Sequence, residues 1–143
     1  MAVSTLVRWY LLVCGLFELI PLSKMWIMEY PPHSALPFTA AHNSNEDLKR
    51  TLSLLLAVLV VVRVGGFLAG GALTKVHKWA IVLLHATEVV FILPMYMDNV
   101  VPRRALMPQE KRWEADFIMA IICLNPVIFT FLRAATMVRR KQG

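Results

Sequence analysis

Residues 52–73 read LSLLLAVLVVVRVGGFLAGGAL, and this run decides the fold. Arg63 is its only charged residue. A helix needs about 20 predominantly apolar residues to cross the hydrocarbon core of a bilayer. An amphipathic helix of a water-soluble protein would carry a polar stripe along its length, and this run has none. Three further apolar segments accompany it, at about 6–22, 77–97 and 114–138, and the run itself extends over about 48–73. Two polar loops, 23–47 and 98–113, separate the first segment from the second and the third from the fourth. The expected fold is all-α: one polytopic integral-membrane domain over 1–143, with four transmembrane helices in an antiparallel bundle.

Composition agrees with this reading. The chain has 143 residues, of which 58% are hydrophobic and 17% charged, with a mean hydropathy of +0.61. Soluble domains average about 45–50% apolar and about 25% charged. A disordered chain and a disulfide scaffold are excluded, and the length leaves no room for a separate soluble catalytic domain. The net charge of +6 lies mostly beside the apolar segments, where Lys and Arg meet lipid phosphates. No basic stretch is interleaved with aromatics, so nucleic acid is not an expected partner. Cys14 and Cys123 both fall in apolar segments and read as small buried residues.

The first segment has a weakly charged start and no small-x-small site before Lys24, so it reads as a retained helix. Pro21 is expected to end or kink it. The first loop holds Pro31, Pro32 and Pro37, which exclude a regular helix across its middle. Ser44 or Asn45 is expected to cap the second helix. Gly66 and Gly70 have the small-xxx-small spacing that lets helices approach closely in lipid. Pro94 is expected to kink or end the third helix, and Asn125–Pro126 to kink the fourth. Trp9, Trp26, Trp79 and Trp113 sit near segment ends, as interface belts require.

Four spans place both termini on one side. Arg8, Lys75, Lys78, Arg139, Arg140 and Lys141 fall on that side; Lys24, Lys49, Arg50, Arg103, Arg104, Lys111 and Arg112 fall on the other. The positive-inside count is nearly a tie, and the termini are expected on the matrix or cytosolic side.

Charged groups inside a span cost about 2.5–3.5 kcal/mol each on insertion scales, so they seek partners. The candidates are Glu18, Arg63, His85, Glu88, Asn125 and Arg133. A tight hairpin between the second and third helices, turning near Leu73 and Thr74, puts Arg63 level with His85. Glu88 is then about one helical turn further along. His85 and Glu88 are three apart and share a face. An Arg63–Glu88 ion pair with His85 beside it is the expected arrangement. Three roles are open: a structural polar latch, a proton-transfer site, or a metal site. The latch leads. A di-iron bundle needs two Glu-x-x-His motifs and two more Glu, whereas this chain has one reversed spacing and Glu18. No metal or other cofactor is expected; a bound phospholipid or sterol is compatible with the bundle.

The order of these features resembles the ergosterol biosynthetic protein 28 family over residues 6 to 97. The resemblance runs through Arg8–Trp9 and an apolar run with Gly15, then Lys49–Arg50–Thr51–Leu52 opening the second helix, then Arg63. It ends on Leu84–His85–Ala86–Thr87–Glu88–Val89–Val90–Phe91, which looks like that family's His-x-x-Ser/Thr-Glu stretch. The His–Glu gap is one residue shorter here, Leu55 and Leu56 stand where the family has Trp, and the loops differ. The resemblance implies a four-helix membrane scaffold for sterol-processing enzymes.

No nucleotide loop, nucleophile elbow or zinc signature occurs. The expected function is therefore non-catalytic: a membrane scaffold or accessory subunit whose partners are other membrane-protein subunits and lipids. Two settings fit, a mitochondrial inner-membrane complex (respiratory chain or ATP synthase) and a sterol-enzyme tether in the endoplasmic reticulum. The absence of a retrieval signal at residues 141–143 leans toward the first. The alternative is a small membrane enzyme or lipid-binding protein using intramembrane Glu and His for proton chemistry.

Overall fold

The structure is a computed structural model that describes residues 3–39, 45–69 and 74–140, with side-chain environments over 5–39, 45–69 and 74–131. Its elements in chain order are α1 (Val3–Trp26), the single-turn α2 (Pro32–Ala35), α3 (Glu46–Ala69), α4 (Lys75–Asn99) and α5 (Gln109–Arg140). Helices α1, α3, α4 and α5 are each long and apolar enough to span a membrane. The chain is an all-α, four-helix membrane protein.

Each long helix exceeds its apolar segment at one or both ends. Hydropathy marks only the lipid-facing stretch, whereas good helix formers such as Gln109, Glu110, Lys111 and Arg112 continue the hydrogen-bond ladder into the interface. Pro21 does not end α1, which runs on to Trp26. Proline is tolerated in spanning helices, and near the same end of α1 Ser23 Oγ donates to the Ile20 carbonyl at 2.8 Å. Likewise α4 passes through Pro94 and α5 through Pro126. Asn45 caps α3, its Oδ1 accepting from the Leu48 N–H at 2.8 Å, and Thr74 caps α4 through the His77 N–H. Ser44 and Gly70 lie outside the described residues.

The pairing of helices differs from a simple hairpin bundle. Helix α1 packs mainly on α3 and α4 on α5, while the consecutive helices α3 and α4 approach only sparsely. Glycine explains the first pairing. A Cβ on Gly15 would lie 3.2 Å from Val64 Cγ2 and 3.3 Å from Arg63 Cβ; one on Gly66 would lie 3.0 Å from Leu11 Cδ1. Between α3 and α4, by contrast, the long Arg63 side chain reaches across to His85 and Glu88.

The interior is layered. One apolar cluster joins Met25, Leu36, Phe38, Leu52, Ile92 and Met119 at the loop end of the bundle. Residues of the first loop thus fold back over that end, and Asn99 Nδ2 donates to the Phe38 carbonyl at 3.3 Å. A second cluster joins Leu11, Ile81, Val82 and Phe129 toward the other end. On α4 and α5 the buried His85, Glu88 and Asn125 fall between these two clusters, whereas buried Ser53 of α3 lies beside Leu52 of the loop-end one.

The outer surface is apolar along the spans, with Phe17, Leu54, Val61, Val90, Phe117 and Phe131 all exposed. Cys14 is buried, but Cys123 is exposed. Its expected burial is corrected: its position on α5 turns outward, toward lipid rather than the core. All four tryptophans also face outward.

Candidate functional site: a buried arginine cluster

The site is built from side chains that repeat every third or fourth residue, and so share a helix face. Helix α1 brings Tyr10, Cys14 and Glu18; α4 brings Ile81, His85 and Glu88; α5 brings Asn125 and Phe129. Arg63 of α3 lies at their centre. Arg63, His85, Glu88 and Asn125 are 1%, 0%, 2% and 1% exposed.

Each nitrogen of the Arg63 guanidinium is engaged. Nε donates to His85 Nε2 at 3.0 Å. Nη1 donates to Glu18 Oε1 at 2.5 Å and to the Cys14 carbonyl at 3.5 Å. Nη2 donates to Glu88 Oε2 at 3.0 Å. Since Nε2 accepts a bond from a cation, the His85 imidazole is neutral and carries its proton on Nδ1. That Nδ1–H donates to the Ile81 carbonyl at 2.6 Å, one turn back on the same helix. His85 is fixed further by Phe129, whose ring centroid is 4.5 Å away.

A second polar link lies beside the first. Tyr10 Oη donates to Asn125 Oδ1 at 2.5 Å, tying α1 to α5, and the Tyr10 ring lies 5.8 Å from Phe129. Among the described residues the buried Asn125 Nδ2 has no hydrogen-bond partner. The polar layer therefore touches all four long helices.

Of the residues singled out by sequence, the structure brings together Glu18, Arg63, His85 and Glu88, and sets Asn125 alongside them. Gly66 packs against Leu11 and Ile81 instead of joining the cluster. Pro126 follows Asn125 within α5, and the side chain of Arg133 lies outside the described residues. Sequence reasoning passed over Tyr10, the Cys14 carbonyl and Phe129. The four-residue spacing of Tyr10, Cys14 and Glu18 is the signal that points to the first two. Among the described residues no three His, Cys, Asp or Glu side chains converge as metal ligands.

Polar contacts also mark the ends of the bundle. Arg8 donates through Nε and Nη2 to the Phe67 carbonyl at 3.1 and 3.0 Å, satisfying the last turn of α3. At the loop end Arg104 grips Asp116 with two bonds, 2.8 and 2.5 Å, and Tyr96 Oη donates to the same carboxylate. Trp26 Nε1 donates to Ser53 Oγ at 2.7 Å, and Lys49 Nζ lies 4.6 Å from the centre of the Trp26 ring.

These features define a four-helix membrane protein organised around one buried arginine. Comparison with protein-family models, with curated proteins and with solved structures finds no match.

Proposed function

We propose that this protein is a non-catalytic membrane scaffold or accessory subunit, and that the Arg63 cluster is its internal latch. The observation that carries this reading is the full use of Arg63. Its three nitrogens are spent on His85, Glu18, Glu88 and a backbone carbonyl, while His85 spends its second nitrogen on Ile81. A group bound in this way fixes helix register and rotation. A catalytic acid or base would need a face open to substrate.

The latch leaves the outer surface for recognition. That surface is apolar through the spans and is flanked by two polar loops. Its partners are other membrane-protein subunits and lipids. The setting is the mitochondrial inner membrane or the endoplasmic reticulum, with termini toward matrix or cytosol. The resemblance over residues 6 to 97 favours a sterol-enzyme tether.

A second reading, a small lipid-binding protein or enzyme, draws on one observation. The Asn125 amide has a buried N–H pair with no partner among the described residues, and a polar ligand head would satisfy it.

Purification in mild detergent with a C-terminal tag, followed by native electrophoresis and mass spectrometry, separates these cases. Stoichiometric recovery with respiratory or ATP-synthase subunits supports the mitochondrial setting, and recovery with sterol-processing enzymes supports the tether. A lone protein carrying a stoichiometric lipid defeats both scaffold readings. Glu88→Gln should weaken assembly while turnover per intact complex stays normal; loss of turnover in intact complexes would favour proton chemistry.

A further inference from the structure

A cleft lies away from the arginine cluster, at the loop end. It measures about 370 Å³ and lies between α2 and the loop that joins α4 to α5. Ser34, Asn99, Arg103, Lys111 and Glu114 are among the residues that line it. We propose that this cleft binds the phosphate of an anionic membrane lipid, with Arg103 as the principal contact and Lys111 as the second.

Four observations support the assignment. The first is charge. Two cations line the cleft against the single carboxylate of Glu114, which engages Lys111 at 3.2 Å. The lysine ammonium has three donors, so one bond to Glu114 leaves others for an anion. The Arg103 side chain has no hydrogen bond or ion pair among the described residues, although its neighbour Arg104 is held by Asp116. Arginine's planar fork matches phosphate oxygens in pairs.

The second observation is position. Cleft residue Asn99 ends α4, Pro108 directly precedes α5, and Lys111 lies in its first turn. Exposed Trp26, Tyr30 and Trp113 lie at this same end of the bundle. Such aromatics mark the headgroup level of a bilayer. The cleft is therefore set at the level where lipid phosphates lie.

Third, α2 shapes the opposite wall and is itself held. Its buried Ala35, together with Leu36 and Phe38, is anchored in the loop-end apolar cluster, and Thr39 Oγ1 donates to the Leu36 carbonyl at 3.0 Å. The wall is built on packed residues and not on a free loop. Fourth, the volume suits a phosphate with its glycerol linkage, within the about 300–1,000 Å³ usual for ligand clefts.

The test uses the full chain reconstituted in nanodiscs of phosphatidylcholine mixed with phosphatidylglycerol, with retained lipid counted by native mass spectrometry after detergent extraction. Arg103→Gln should reduce retained phosphatidylglycerol about fivefold. Lys111→Gln should act in the same direction. Arg50→Gln, which removes an exposed cation at the same end of the bundle but outside the cleft, should leave retention unchanged. Equal losses from Arg103→Gln and Arg50→Gln would reduce the effect to general surface charge and overturn the site. Equal retention of phosphatidylcholine by the unaltered protein would overturn anionic selectivity. A second arm titrates inorganic phosphate into protein held in phosphatidylcholine alone. Saturable binding that is lost in Arg103→Gln would reassign the cleft to a soluble phosphate compound. Absence of such binding, with phosphatidylglycerol retained in the first arm, supports the lipid.

Discussion

Arg63 Nη2 lies 3.0 Å from Glu88 Oε2, with the two side chains 1% and 3% exposed. They come from consecutive spanning helices whose backbones approach only sparsely. The ion pair, and not close helix packing, joins α3 to α4 at this depth.

Removal of Arg63 should therefore be costly. Arg63→Leu strands Glu18 and Glu88 without their cation, and breaking a buried pair costs about 3–5 kcal/mol. Arg63→Lys should recover only part of this, because a single ammonium cannot reach His85, Glu18 and Glu88 in fork geometry. Thermal unfolding in detergent, followed by circular dichroism, gives the ranking. A double-mutant cycle of Arg63→Leu with Glu88→Leu should show the double variant less destabilised than the sum of the singles; simple additivity would deny the coupling.

Three glycines should respond differently to one added methyl. Gly15→Ala drives a Cβ to 3.3 Å from Arg63 Cβ, an atom fixed to the backbone, and overpacking of this kind costs about 1–3 kcal/mol. Gly66→Ala meets the end of the Leu11 side chain, which can turn aside, so its cost should be smaller. Gly65→Ala meets nothing within 4 Å and should be neutral or stabilising by up to about 1 kcal/mol through helix propensity. Midpoints of detergent denaturation should order the variants as Gly65, Gly66, Gly15, from most to least stable.

The Tyr10–Asn125 bond invites a paired test. Tyr10→Phe removes the hydroxyl that donates to Asn125 Oδ1 and leaves the whole amide without a partner, at a cost of about 1–3 kcal/mol. Adding Asn125→Leu should return much of that loss, since both polar partners are then gone. If the double variant is no more stable than Tyr10→Phe alone, the bond does not tie α1 to α5 in the way the distance implies.

Glu29 adopts a left-handed backbone at φ 57° where the chain leaves α1. A residue with a Cβ there costs roughly 1–2 kcal/mol relative to a right-handed conformation. Glu29→Gly should raise the thermal midpoint, whereas Glu29→Val should lower it, because a β-branched side chain fits that region poorly. The unfolding midpoints of these two variants relative to the unaltered chain check the sign.

Much of this architecture can be read without coordinates. Four apolar runs of spanning length mark four helices, since a bilayer requires each span to satisfy its own backbone. The level of Arg63 relative to His85 and Glu88 follows from counting residues on either side of one turn. Helix ends are less legible: hydropathy reports the lipid-facing stretch, so Pro21 reads as either a stop or a kink and Gln109 as part of a loop. The inward faces of Tyr10 and Phe129 were hidden as well, because an aromatic in an apolar segment gives no sign of whether it meets lipid or a histidine.

The sequence by itself determined the class: an all-α chain of four membrane-spanning helices with costly polar groups at mid-span. It could do so because span length, hydropathy and residue spacing are local properties of one segment. Only the tertiary structure decided which helices pair, that Gly15 sets the approach of α1 to α3, and that Glu18 shares Arg63 with Glu88. Those outcomes depend on the relative rotation and depth of helices far apart in the chain. Rotation and depth are fixed jointly by every packed side chain, and no single segment specifies them.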